Sequence, residues 1–94
     1  MTTIRKSNYG NYSSDNYGSH AQKIDVGTLT LWFSYDTVVA FRTPKAVFFI
    51  CENVWGTTTG KHLNWIDPNK KIRLQSEDFD NRLDHALAKH SLNL

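Results

Sequence analysis

The residues best suited to chemistry in this chain are concentrated in one run, Gly56-Thr57-Thr58-Thr59-Gly60-Lys61-His62-Leu63-Asn64. It holds three hydroxyls, a cation, an imidazole and an amide between and after two glycines. A phosphate-binding loop is the obvious comparison, and it fails on spacing. That motif needs four residues between its glycines and a Ser or Thr after the lysine, whereas three threonines separate Gly56 from Gly60 and His62 follows Lys61. A milder chemistry survives. A helix starting at the threonines offers N–H groups, hydroxyls and Lys61 to a phosphate or a partner carboxylate. Ordinary capping needs only one of those threonines, so the sequence leaves anion binding and capping both open.

Other reactive groups are scattered. His20, His62, His85 and His90 share no three- or four-residue helical spacing and have no cysteine pair beside them, so neither a metal site nor a cofactor is expected. Asp80 and Asp84, with His85 adjacent, read as a solvated acidic stripe on a helix. Cys51 sits in an apolar run and reads as a small buried hydrophobe. No serine or cysteine can be grouped with a histidine and an orienting acid. Trp55 and Trp65 lie near Lys61, Lys70, Lys71 and Arg73, a combination that can stack unpaired bases. Acids interrupt the cations, however, and a net charge of +2 does not call for nucleic acid by itself.

Ninety-four residues allow one domain with a modest core. A lone cysteine, the lack of an apolar leader after Met1 and an apolar run no longer than Ala46 to Cys51 predict a cytoplasmic protein with no membrane association. Residues 1–22 are rich in Asn, Gly, Ser and Tyr and are expected to form an arm, flexible or docked through Tyr9, Tyr12 and Tyr17. Residues 23–94 form the domain.

Within it, Leu29, Leu31, Phe33 and Tyr35 alternate with Thr28, Thr30, Trp32 and Ser34, which predicts a strand from Ile24 to Tyr35 with one face buried. Trp32 then points to the other face, where packing in a second layer is favoured over a binding role. The polar turn Ser34-Tyr35-Asp36-Thr37 leads to a second strand at Val38–Arg42, and Pro44 breaks it before a third at Ala46–Glu52. Lys61–Ile66 is expected as a short helix capped by the threonines and ended by Pro68, with Leu63 and Ile66 facing the sheet. Lys70–Leu74 can add a fourth edge strand. Ser76 is expected to cap an amphipathic helix whose inner face carries Phe79, Leu83, Ala86, Leu87 and His90. The fold class is therefore α+β: a three- or four-stranded antiparallel meander with a short helix and a C-terminal amphipathic helix packed on one face.

The runs FSYDTVVAF (33–41), TTTGKHLNWI (57–66) and NYGNYSSDNYG (8–18) together resemble a family of short uncharacterised proteins of bacteriophages, plasmids and prophages. In that family a strand turn of the form SY-x-T-x-VA precedes a helix start of the form TT-x-KH-x-N. The resemblance spans residues 8 to about 87. It implies Tyr35, Thr37, Thr58, Thr59, Lys61, His62 and Asn64 as functional positions, a bacterial host cytoplasm, and no known activity. It also places the tyrosine-rich opening with the domain. With Trp55 and the three N-terminal tyrosines these residues make the expected binding set. The expected function is a non-enzymatic binding module of a mobile element acting on a protein partner such as a host defence component. The alternative is a nucleic-acid accessory protein using Lys61, Lys70, Lys71, Arg73 and the nearby tryptophans.

Overall fold

The alternation along residues 29–34 does build a strand, and the strands around it are set by where the chain can turn. A computed structural model describes residues 4–8, 21–45 and 47–89. They form β1 (Ile4–Asn8), β2 (Ala21–Val26), β3 (Leu29–Ser34), β4 (Thr37–Arg42) and β5 (Phe48–Ile50), then helix α1 (Thr57–Ile66), a single 3-10 turn (Lys70–Ile72) and helix α2 (Ser76–Lys89). The five strands lie in sequence order, each antiparallel to its neighbours. The protein is thus α+β, built on an antiparallel meander.

The sheet is wider than the expected three or four strands. The strand expected at Ile24–Tyr35 is two strands, because Gly27 adopts φ 62° and reverses the chain so that Val26 pairs with Leu29. Residues 4–8 and 21–22, assigned to the arm on composition, belong to strands, with Ile4 in register with Val26 and Asn8 with Gln22. Tyr9, Tyr12, Tyr17 and His90 lie outside the described residues. The fourth strand expected at Lys70–Leu74 is absent. Asn69 Oδ1 accepts from Lys71 N at 3.1 Å and turns the chain, leaving a single parallel bridge between Leu74 and Cys51.

Both faces of the sheet are covered. On one, Leu29, Leu31, Val38, Phe41 and Cys51 pack under Phe79 and Ala86 of α2, with Leu83 and Leu87 at the margin. On the other, Val39, Ala40 and Ile50 pack against Leu63 of α1, with Trp32, Phe48 and Ile66 around them. A bulge in β4 makes this possible. Trp32 pairs with Ala40 and Phe33 with Val38, so Val39 is the extra residue. Val38 and Phe41 then face α2 while Val39 and Ala40 both face α1, and four consecutive residues are buried. Trp32 takes its place in the second layer. It meets Phe48 edge-on at 5.4 Å, and Lys23 and Arg42 cover its ring at 5.6 and 5.8 Å.

Helix ends differ from the sequence expectation in one respect. Gly56 occupies the N-cap of α1 and no side chain caps it, so Thr57, Thr58 and Thr59 form its first turn. Likewise Ser76 lies inside α2, and its N–H donates to Glu52 Oε2 at 2.8 Å. The carboxylate at the end of β5 thus holds the start of α2. Asp67 is extended, as the following Pro68 requires, and closes α1 through a bond from its N–H to Leu63 O at 2.9 Å. Among the described residues, no helix is long and apolar enough to cross a membrane.

Cys51 is fully buried. Burial, with smaller repulsion from Asp80 and Glu52, pushes its thiol from 9.0 up to about 11. Its contribution to stability is complete below the unfolded value and is lost as pH rises through the folded one. A thiol reagent near neutral pH is expected to label Cys51 slowly in the folded protein and rapidly in urea; fast native labelling contradicts the burial. In urea unfolding, Phe79→Ala is expected to cost about 3–5 kcal/mol. Arg82→Ala breaks a half-exposed pair with Asp78 and removes a cation over Phe49, together about 1–2 kcal/mol. Packing by Phe79 thus contributes more to holding α2 than the Arg82 contacts do.

Candidate functional site

Helix α1 sorts the chemistry-bearing run into three stripes, because residues three and four apart share a face. Thr59, His62, Leu63 and Ile66 turn toward the sheet. Gly60 and Asn64 lie beside one cleft. Lys61 and Trp65 are exposed.

The inward stripe meets β3 at a buried polar cluster. Ser34 ends β3 on the same face as Thr30 and Trp32, and its hydroxyl reaches His62 Nδ1 at 2.6 Å and Thr59 Oγ1 at 2.9 Å. All three are buried: His62 is 0%, Ser34 2% and Thr59 8% exposed. A serine hydroxyl this close to an imidazole resembles a nucleophile with its base. Here the same burial that shortens the contact keeps substrate from the hydroxyl, and neither of the two clefts described below is lined by Ser34 or His62. What the arrangement does is join α1 to the sheet by satisfying polar groups in a dry place.

Over this cluster sits Tyr35. Ser34 pairs with Thr37, so Tyr35 and Asp36 make a two-residue hairpin loop, and Tyr35 holds φ 57°. That left-handed conformation favours Gly or Asn, and an aromatic residue there is strained by about 1–3 kcal/mol. Tyr35 remains 49% exposed, with its ring 6.0 Å from that of His62. Trp65 flanks His62 from the helix side at 6.2 Å and is 36% exposed. Two large aromatics thus stand in solvent around one buried imidazole.

The remaining expected residues are more dispersed. Thr37 is exposed at the start of β4, Thr58 is half-buried in the first turn of α1, and Lys61 is exposed. Trp55 is 42% exposed in the loop before α1, next to Val54 at 55%. That loop is organised by Asn53, whose Oδ1 accepts from Trp55 N at 3.1 Å and Gly56 N at 3.2 Å. Its Nδ2 donates to Gly56 O at 3.0 Å. A β-carbon at Gly60 would lie 2.8 Å from Asn53 Nδ2, so a side chain there would push the amide aside. The reading of Thr57–Lys61 as an anion cradle loses one of its three hydroxyls, since Thr59 is bonded to Ser34.

Asn64 is exposed and accepts from Arg73 Nη2 at 3.0 Å. With Glu52, Asn53, Gly60, Lys70 and Arg73 it lines a polar cleft of about 430 Å³. A second cleft of about 540 Å³, floored by Phe41 and Phe49 and rimmed by α2, contains none of the expected residues except the stripe member His85. Asp80, Asp84 and His85 are exposed on α2. Among the described residues there is no group of three or more His, Cys, Asp or Glu placed to hold a metal ion.

Sequence reasoning passed over Ser34 and Asn53, taking the first as turn chemistry and the second as the start of the segment that leaves the sheet. Ser34 had a signal: it is the small hydroxyl that period two puts on the same face as Trp32. Asn53 had none, since its partners depend on where α1 begins.

Residues 1–81 match a family of unknown function (DUF8033). No curated protein and no solved structure matches the chain.

Ser34→Ala leaves His62 Nδ1 and Thr59 Oγ1 buried without this partner and is expected to cost about 1–3 kcal/mol in urea unfolding. Thr59→Val keeps the volume and removes one bond, so the expected loss is smaller, about 1 kcal/mol. Equal, negligible losses from both would show that the cluster does not join helix to sheet.

Proposed function

We propose that the chain, which belongs to this family of unknown function, is a small non-enzymatic binding module that docks a protein partner through the aromatic surface of Tyr35 and Trp65. The observation that carries this reading is the strained, half-exposed Tyr35. The hairpin holds a large aromatic at φ 57°, where Asn or Gly would be less strained. A residue kept at the expense of local stability points to a use for its side chain. Tyrosine and tryptophan bring large contact area with few rotors and dominate binding energy at protein interfaces. The buried Ser34–Thr59–His62 cluster beneath them fixes the spacing of hairpin and helix, so the surface is presented ready-made.

The resemblance to phage, plasmid and prophage proteins supports a setting in a mobile element within a bacterial cytoplasm, with a host defence component as the kind of partner addressed. The exposed lysines Lys61, Lys70 and Lys71 keep the nucleic-acid reading as the competitor; Arg73 is a poorer member of that set, since its guanidinium is bonded to Asn64 and to the Asp67 carbonyl.

Tyr35→Asn is expected to leave the melting temperature unchanged or to raise stability by up to about 1 kcal/mol. The same change, and Trp65→Ala, are expected to weaken partner binding by more than about 30-fold in capture from a bacterial host lysate followed by titration of the purified partner. Retention of the partner by both variants overturns the proposal. So does salt-dependent binding of single-stranded DNA with no protein captured, which selects the nucleic-acid reading.

A further inference from the structure

The polar cleft beside α1 has an uneven hydrogen-bonding inventory. Its amide and carboxylate acceptors are largely committed inside the fold. Asn53 Oδ1 takes two N–H groups, Asn64 Oδ1 takes Arg73 Nη2, and Glu52 Oε2 takes Ser76 N. The donors outnumber these acceptors. Arg73 Nε is buried with no hydrogen-bond partner among the described residues. Asn64 Nδ2 and the second hydrogen of Asn53 Nδ2 can turn to the cleft, and Lys70 is exposed at its edge. Two cations against one carboxylate leave the lining with a single net positive charge. An unpaired, buried guanidinium N–H is costly, and a native structure calls for an explanation of it.

We infer that this cleft is a binding site for a singly charged oxyanion, a carboxylate or a phosphate monoanion. The Nε and Nη2 atoms of an arginine form one edge of the guanidinium fork, and that edge matches two oxygens of such a group. The contact from Nη2 to the Asp67 carbonyl, at 3.4 Å, is the weakest one holding the guanidinium. Releasing it lets the edge swing toward the cleft while Nη2 keeps Asn64. Lys70 supplies the second charge and the two amides close over the remaining oxygens. One charge on the ligand neutralises the lining, whereas a doubly charged phosphate would also repel Glu52. Gly60 is part of the design, because a side chain there would displace Asn53 from the wall. Neither Tyr35 nor Trp65 lines this cleft, and the site does not depend on their role.

The test is the arginine side-chain N–H spectrum of the intact protein by NMR, titrated near neutral pH with sodium acetate, sodium dimethyl phosphate and, as control, sodium chloride at matched ionic strength. A saturable shift of the Arg73 Nε–H signal with acetate or dimethyl phosphate, absent with chloride, is expected, and the salt that saturates first names the group. Lys70→Ala, a change at an exposed side chain, is expected to weaken that response at least about threefold, while Lys45→Ala leaves it unchanged. Asn64→Asp places a carboxylate beside Arg73 and should move the Nε–H signal without added salt and abolish the titration. Shifts that track chloride, or that survive Lys70→Ala and Asn64→Asp undiminished, overturn the site.

Discussion

A sheet with apolar residues on both faces has to be covered twice, and a chain of 94 residues has little with which to do it. That constraint organises this structure. Small domains bury a limited share of their surface, so a strand that serves one core usually leaves its other face wet. Here β3 and β4 serve two. The extra residue Val39 is what reconciles them, since it turns Val39 and Ala40 to α1 while Val38 and Phe41 remain under α2. Without that bulge, strict alternation would put Val38 with Ala40 and Val39 with Phe41, splitting each helix's pair between the two faces. The two helices differ accordingly. The longer α2 brings Phe79, Leu83, Ala86 and Leu87 to its face, an apolar contact that needs no further help. The shorter α1 brings Leu63 and Ile66, too little apolar area to hold ten residues in place.

The polar cluster follows from that shortfall. Where α1 crosses the end of β3, side-chain hydrogen bonds take the place of missing apolar contacts. Ser34 can accept from one neighbour and donate to the other, and the imidazole and the threonine hydroxyl are what it meets. A bond of this kind contributes little net when it forms, because water is displaced from both partners. It is directional, however, and leaving it unmade is costly. It therefore sets the position of α1 more sharply than Leu63 and Ile66 alone would.

This explains how far the sequence could be read. The antiparallel meander, the amphipathic α2 with Phe79 inward, the second-layer packing of Trp32 and the burial of Cys51 all rest on periodicity or local composition, and the structure agrees. The reading faltered where a single residue overrides periodicity. Gly27 divides the run into two strands, and its signal is a change of phase: the apolar residues fall at Ile24 and Val26 before it and at Leu29, Leu31 and Phe33 after it. Composition placed residues 4–8 in an arm, whereas pairing with β2 needs only backbone groups. At the site, five residues from Thr58 to Asn64 were taken as one constellation. Helical geometry separates them: Thr59 and His62 go under the helix, Lys61 to its outer side, and Asn64 to a cleft shared with Arg73. Spacing in sequence shows that residues are near one another, and only the helix start shows which of them look the same way.

The surplus polarity of α1 can now be divided by what each group is for. Thr59 and His62 are accounted for by packing, because they substitute for apolar area at a crossing that lacks it. Asn64 and Gly60 are accounted for by neighbours that need an acceptor and a gap. Tyr35 and Trp65 are different in kind. Each approaches the His62 ring, and each leaves a large part of its own surface in water. Tyr35 does so from a backbone conformation that a smaller residue would occupy with less strain. Apolar area left in solvent and strain in a hairpin thus coincide at one point, and neither adds to the stability of the fold. The buried cluster beneath joins helix to strand at that same point.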